Sequence, residues 1–329
     1  MCGITGFYLF QNSYDHGFLI KQIKKMNELL IHRGPDAKGI WSDYKDKIYL
    51  GHRRLSIIDL SSRANQPMRS YNGRYVIIFN GEIYNFLELK NLLKDVVKFK
   101  DNSDTRVLLE LINYFGFSKA LKHINGMFSF ALWDVKEKTL YLAIDRFGKK
   151  PLYWTDQNQG ILFSSELKSI VSFYTFKKKI NYKALSFFFK YSYIKAPQTI
   201  YESTYKVEPG TFLKIDKKKK ITKHIYWSTP SNEVDSKLLK IPQDEIETKL
   251  SDLVDDSVRS RMVSDVPLGV MLSGGIDSSL IAAIAQKFSK KKIDTFSISF
   301  PQKGFDESKF AKRVAKELST THNTFSIDD

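Results

Sequence analysis

A single cysteine in 329 residues excludes an intramolecular disulfide. The six histidines, at 16, 32, 52, 123, 224 and 322, show no ligand-like spacing, so no structural zinc site is expected. No apolar run approaches the ~20 residues needed to span a bilayer. The opening MCGITGFYLF has neither a basic n-region nor a long h-region, so the expectation is a soluble, cytoplasmic chain with no membrane partner. Arginine is absent from the lysine clusters at 177–179, 217–220 and 290–292, which are short and far apart. The excess of 52 basic over 36 acidic residues, +16, therefore reads as a lysine-rich solvated surface, and no nucleic-acid partner is expected. A duplex binder is the alternative, and failure to bind duplex at low salt would dismiss it.

What the chain does have is apolar mass. Hydrophobic residues make up 42% and aromatics 14%, which excludes a disordered or fibrous class. The length suits about two domains. Up to residue 227 the pattern is short alternating strands, at 2–10, 74–80, 127–133 and 139–144, with Phe128, Phe130 and Leu132 on one face. Helices interleave: one over 19–31, one opening at Asn85 with Glu88 as capping-box partner, and one from Ser103 to Gly116. This predicts an α+β domain rich in antiparallel sheet, residues 1–227.

Residues 228–242 change character and are expected to be a linker, with Pro242 placed to open a helix. From 243 to 329 the order is a helix carrying Ile246, Leu250, Leu253, Val254, Val258 and Met262, a buried strand at 268–272, a helix at 278–288, a buried strand at 295–300 and a helix at 307–318. Alternation of strand and helix predicts a parallel sheet of two strands.

Cys2 follows the initiator Met, and a small second residue permits removal of that Met, leaving a thiol beside its own α-amine. An α-amine titrates near ~8 and serves as the adjacent base of an N-terminal nucleophile. A cysteine here is also an ordinary small hydrophobe on an edge strand. The context is the ordered set CGITGF, His32-Arg33-Gly34-Pro35-Asp36, GHRRLSIIDL at 51–60, Asn65-Gln66-Pro67-Met68, Asn80-Gly81-Glu82-Ile83-Tyr84-Asn85, Ser103-Asp104 and Asp145-Arg146-Phe147-Gly148.

This set resembles the class II, N-terminal-nucleophile glutamine amidotransferases, above all those of glutamine-dependent asparagine synthetases. The resemblance implies an αββα sandwich, Cys2 as nucleophile, and the Asn80 amide with the Gly81 N–H as oxyanion hole. It also implies that Arg54 takes the α-carboxylate of glutamine, while Glu82 and Asp104 hold its α-ammonium and neighbouring polar groups. Arg53 is expected to be solvated, and residues 32–36 to be a structural loop near the site. Singly, Asn80-Gly81 reads equally as a turn, Asp104 as a helix-start acid, and Arg54 as a surface arginine.

In the second segment, Ser273-Gly274-Gly275-Ile276-Asp277-Ser278-Ser279 follows a strand and opens a helix, and it lacks the Gly-Lys-Ser/Thr ending of a Walker A loop. The loop resembles that of ATP pyrophosphatases. By that resemblance Ser273, Gly274, Gly275 and Ser278 would cradle the pyrophosphate of ATP and Asp277 would approach Mg2+. Met271 and Ile298 would flank the adenine, core strand residues being the other reading.

Phe305-Asp306-Glu307-Ser308 and Thr321-His322 continue the likeness to asparagine synthetases. In that family the synthetase domain runs on with further strands, a second glycine- and acid-rich motif and a lysine, none of which has a counterpart before Asp329. The expectation is an ATP-pyrophosphatase domain that is incomplete and C-terminally truncated, with uncovered apolar surface and poor stability in isolation. The implied activity is ATP-dependent asparagine synthesis from aspartate through β-aspartyl-AMP, with ammonia from glutamine, in a homodimer. The alternatives are amidation of another carboxylate such as a sugar uronate, and glutaminase activity or ligand binding only.

Overall fold

The structure is a computed structural model that describes residues 1–11, 14–157, 160–230, 241–300 and 306–327. The chain divides into two compact units, Met1–Thr229 and Pro230–Asp329.

The first unit holds two six-stranded sheets. One runs Thr204–Lys206, Tyr153–Thr155, Gly160–Ser164, Gly3–Leu9, Ile48–Arg54, Ala37–Asp43. The other runs Ile221–Ile225, Thr211–Ile215, Thr139–Ile144, Gly126–Asp134, Tyr75–Ile83, Met68–Arg69. All their pairings are antiparallel.

Period-two alternation assigns every face. Ile4 and Tyr8, Ile48 and Leu50, Val76 and Ile78, Ala131 and Trp133 form the layer between the sheets. Phe7, Leu9 and Tyr49 face outward onto helix His16–Glu28. Ile77, Phe79 and Phe130 face outward onto helices Asp104–Phe115 and Phe117–His123. The result is helix, sheet, sheet, helix, the αββα sandwich that the resemblance implied. Each fully buried Leu, Ile or Phe in these layers contributes about 2 kcal/mol.

The same alternation places the functional ends of the strands. Cys2 precedes Ile4 and Tyr8 in register, Arg54 and His52 continue Ile48 and Leu50, and Asn80 and Glu82 continue Val76 and Ile78. All five therefore fall on the inter-sheet side, where that layer ends.

Several expectations need correction. Arg53 is not solvated but 4% exposed, because it lies on the outward parity with Tyr49. There its Nε donates to Asn27 O at 3.2 Å and its terminal nitrogen pairs with Glu28. Helix His16–Glu28 starts earlier than expected, capped by Asp15 Oδ1, which accepts from Gly17 N at 2.7 Å. Asn85 opens helix Phe86–Leu92 without a side-chain cap. Its amide is spent instead on Asn125 N and His123 O, so the capping box with Glu88 does not form.

In the second unit, helix Gln243–Ser260 follows Pro242 and buries none of its side chains. Ile246, Leu250 and Leu253 are 46, 59 and 69% exposed. The sheet is parallel but has three strands, Gly269–Met271, Asp294–Ser299 and Thr321–Ser326, in that order. The third was missed because THNTFS has no apolar run and its His322 is occupied with its neighbours, Nδ1 with Thr295 Oγ1 at 3.0 Å and Nε2 with Ser297 Oγ at 3.1 Å. Nor are the first two strands buried throughout: Met271 is 63% exposed, and one small apolar cluster joins Leu272, Ala282, Ala311 and Ala315 with Val270, Val314 and Leu318 against them. Most of the expected linker, residues 231–240, and Phe305 of the continuing motif lie outside the described residues.

Candidate active site

One cleft in the first unit is lined by Cys2, Arg54, Asn80, Gly81, Glu82 and Asp104 together with Met1, Leu55, Gln66 and Lys150. Every glutamine-site residue expected from the sequence is thus in one place. The Cys2 sulfur is held by the Leu55 backbone, accepting from its N–H at 3.4 Å and donating to its carbonyl at 3.6 Å. Burial pushes the thiol pKa up, against the Leu55 hydrogen bond and the nearby chain terminus, which lower it. Met1 precedes Cys2 here, so the Cys2 nitrogen is a peptide N–H and the free amine belongs to Met1. Burial pulls the pKa of that amine down, and the positive charges of Lys150 and Arg33 act in the same direction.

Asn80 and Gly81 sit within strand Tyr75–Ile83, not in a turn. The Asn80 side chain is 1% exposed, and neither its Oδ1 nor its Nδ2 has a hydrogen-bond partner among the described residues. A buried amide left unmatched costs about 1–3 kcal/mol, so the position is selected for something other than stability.

Gly81 pairs opposite Phe128, whose N–H and C=O are both spent on the far side, on Asp145 Oδ2 at 3.1 Å and Asp145 N at 2.8 Å. Gly81 and Phe128 are therefore a non-hydrogen-bonded pair, and the Gly81 N–H points to the other edge of its strand. On that edge the residues two before and two after have found side-chain acceptors: Phe79 N–H donates to Gln66 Oε1 at 2.6 Å and Ile83 N–H to Asp104 Oδ2 at 3.0 Å. A Cβ at Gly81 would lie 2.2 Å from Met127 O, so no other residue fits this close approach.

Asp104 opens helix Asp104–Phe115 and is buried; burial raises its carboxyl to about 6 despite hydrogen bonds from Ile83 and Thr105 N–H. Burial also raises Glu82, which Lys150 opposes, while burial lowers Lys150. Lys150 was missed by the sequence reading. The signal was its place in the Asp145 motif: the Asp145 carboxylate accepts backbone N–H from Phe128, Phe147, Lys149 and Lys150 at 3.0–3.1 Å and so shapes the turn that delivers the lysine.

Arg54 lines the cleft with its guanidinium anchored, NH1 to Ser61 O and Asn65 Oδ1 at 2.8 Å each and NH2 to Asp59 O. The structural loop at 32–36 reaches the nucleophile directly. Arg33 Nε donates to Cys2 O at 3.0 Å and its NH1 to Glu166 at 3.0 Å. Burial would raise Glu166, but His32, Arg33 and Lys168 overcome it and hold the carboxyl at about 2. Asp36 accepts from Ser56 N–H at 2.7 Å, steadying the turn after Leu55.

In the second unit Met271, Ser273, Ser278 and Ile298 line a second cleft, and Gly274, Gly275 and Asp277 belong to the loop and first helical turn beside it. Gly274 has φ +84°, and a Cβ there would meet Phe310 Cβ at 2.5 Å, so the glycine is required. A Cβ at Gly275 would meet only Ser273 Oγ at 3.4 Å, leaving that side of the loop open to an approaching anion. Helix Ile276–Phe288 has no side-chain cap on its first N–H groups. Ser273 Oγ and Ser278 Oγ lie 2.9 Å apart at its mouth. The donor set fits a polyphosphate. Among the described residues no group of three or more His, Cys, Asp or Glu is arranged to hold a metal ion; Glu307 also lines this cleft.

No helix among the described residues is long and apolar enough to cross a membrane. Residues 1–227 match the family model of the glutamine amidotransferase domain and residues 249–329 that of asparagine synthase. A putative glutamine-hydrolyzing asparagine synthetase of Methanocaldococcus jannaschii is 38% identical over 99% of this chain, and one from Bacillus subtilis is 37% identical over 97%. This chain spans 64% and 49% of the length of those two relatives. Glutamine phosphoribosylpyrophosphate amidotransferase from B. subtilis, solved with ADP and GMP, superposes with a TM-score of 0.50 at 17% identity, covering 98% of this chain and 65% of that one, a likeness of fold. With a domain model matched from end to end of the first unit, the chain belongs to the glutamine amidotransferase family, here followed by an asparagine synthase segment.

Proposed function

We propose that the first unit hydrolyses glutamine at Cys2 and that the ammonia serves an ATP-dependent amidation of aspartate to asparagine. The observation that carries the reading is the buried, unpartnered Asn80 amide lining the cleft that holds the chain's one cysteine. Removal of Met1 would free the Cys2 α-amine as base. The thiol, which burial keeps protonated, gives its proton to that amine as sulfur attacks the γ-carboxamide carbon. The oxyanion forms between Asn80 Nδ2 and the Gly81 N–H. The protonated amine then passes its proton to the leaving nitrogen, ammonia departs, and water cleaves the thioester to glutamate. Arg54 takes the α-carboxylate of glutamine, and Asp104 with Glu82 takes its α-ammonium.

In the second unit Ser273, Gly274, Gly275 and Ser278 would hold the phosphates of ATP, with Mg2+ near Asp277 and Met271 and Ile298 beside the adenine. ATP supplies the activation of the aspartate β-carboxylate, which attacks the α-phosphorus to form an acyl-adenylate as pyrophosphate leaves; ammonia then attacks the acyl carbon and AMP leaves. One incubation with glutamine, ATP, Mg2+ and aspartate, quantifying glutamate and asparagine by mass spectrometry, tests both halves. Both products are expected from the full activity; glutamate alone removes the aspartate half, and neither product overturns the proposal.

The raised Asp104 carboxyl gives a pH signature. Ionising it in the empty cleft costs about 3 kcal/mol relative to a free aspartate. That cost is absent below about pH 4, fully present above pH 6, and offset when an ammonium binds. Glutamine KM should therefore be flat above pH 6 and rise about tenfold per unit below it. A flat KM down to pH 5 by glutamate release would remove Asp104 from the ammonium site.

A further inference from the structure

Strand Tyr75–Ile83 is paired along its whole length with Gly126–Asp134 but on its other edge only at Val76 and Ile77, where the two-residue strand Met68–Arg69 ends. Beyond Ile77 the edge groups belong to Phe79, Gly81 and Ile83, by period-two alternation. Among the described residues no strand continues there, yet both polar groups of Phe79 are satisfied. Its N–H donates to Gln66 Oε1 at 2.6 Å, and its carbonyl accepts from His52 Nε2 at 3.0 Å. The two clamps come from different places: Gln66 from the loop before Met68, and His52 from strand Ile48–Arg54 of the opposite sheet. Gln66 is fixed in turn by its Nε2, which donates to Thr105 Oγ1 at 3.3 Å. All of these side chains are buried.

We propose that His52 and Gln66 are positioning residues, which together stand in for the missing strand on the two peptide groups that flank Phe79 and thereby aim the Asn80 amide and the Gly81 N–H at one point. The Phe79 carbonyl belongs to the same peptide plane as the Asn80 N–H, so tilting that plane rotates both donors that follow. His52 suits the task because it stays neutral throughout the working pH range. Burial pulls its pKa down to about 4, so the ring donates from Nε2 without bringing a charge between the sheets. The inference rests on the glutamine-hydrolysis reading for its effect on rate, but the clamp itself does not.

The test uses the full chain with three variants: His52→Phe, which keeps a ring and loses the donor; His52→Gln, which restores an N–H donor; and Gln66→Met, which frees the Phe79 N–H of the preceding peptide group should His52→Phe fail to fold. Steady-state glutamate release gives kcat and KM for glutamine, and amide hydrogen exchange reads Phe79, Asn80 and Gly81. The expected result is a fall in kcat of at least tenfold in His52→Phe and Gln66→Met with KM within about threefold, recovery of a third or more of kcat in His52→Gln, and faster exchange at Phe79. Equal losses in kcat and in thermal stability without rescue by His52→Gln, or kcat within twofold in both disruptive variants, would overturn the positioning role. If the unmutated chain releases no glutamate, the proposed activity fails. Exchange then decides the clamp by itself: acceleration confined to Phe79, Asn80 and Gly81 in Gln66→Met upholds it, and unchanged exchange overturns it.

Discussion

Cys2→Ala is expected to abolish glutamate release while glutamine still binds. The side chain lost is the proposed nucleophile, so the chemical step should fall by about 10⁴-fold or more, as when any member of an acting catalytic unit is removed. Glutamine affinity should change only a few-fold, because the groups assigned to its α-carboxylate and α-ammonium, Arg54, Glu82 and Asp104, are anchored independently of the sulfur. Arg54 is tied to Ser61 and Asn65, and Asp104 to Ile83 and Thr105. Folding should be nearly untouched, since Cys2 lies at the strand's start and its sulfur contributes only the two long contacts to Leu55. Calorimetric binding of glutamine to Cys2→Ala alongside a glutamate assay separates the possibilities. Retained turnover would mean that another group does the chemistry, and lost binding would mean that the thiol is part of the recognition surface.

The architecture was legible where alternation is strict. The runs at 3–9, 75–83, 126–134 and 139–144 carry apolar residues on both parities, one set for the inter-sheet layer and one for the outer helices. That double patterning is what a sheet covered on both faces needs. The Arg53 error came from ignoring the same rule. Adjacent arginines on a strand face opposite ways, and parity with Tyr49 sent Arg53 under a helix while Arg54 followed Leu50 to the cleft. Within the site, the residues recognised by motif were those whose side-chain chemistry names itself: a lone cysteine, Asn-Gly, paired acids.

Those that escaped act through the backbone. Gln66, His52 and Asp145 satisfy main-chain groups of Phe79 and of the turn before Lys150, and nothing in their spacing announces which peptide they reach. Arg33 escaped because its partner is a carbonyl, that of Cys2. Glycines were readable in both motifs, one in a strand and one in a loop, for a common reason. At Gly81 and Gly274 a Cβ would run into backbone or a neighbouring helix, so the residue type records a close approach even before the neighbour is known. In the second unit, a strand of Thr, His, Asn and Ser held by side-chain hydrogen bonds left no hydrophobic trace, and the two-strand expectation failed there.

Asn80→Ala carries the other large expected effect, and it separates function from stability. If the amide donates to the developing oxyanion, its removal should lower kcat by about 10²–10³-fold with little change in KM, because the interaction strengthens only as charge appears on oxygen. Stability should move little. Deleting a buried amide without partners recovers about 1–3 kcal/mol of desolvation, and the cavity left by the smaller side chain costs a similar amount. Most buried polar residues of this protein are tied to a neighbour, as Arg53 is to Asn27 and Glu28, and truncating those should lower Tm. Asn80 is an exception that the fold sustains without a structural return, which is the pattern expected of a group held ready for a substrate. A Tm within a few degrees of the unmutated chain, with kcat down at least a hundredfold, is the expected pair of results from calorimetry and the glutamate assay. A kcat within fivefold would remove the amide from the oxyanion hole and leave the Gly81 N–H to act alone.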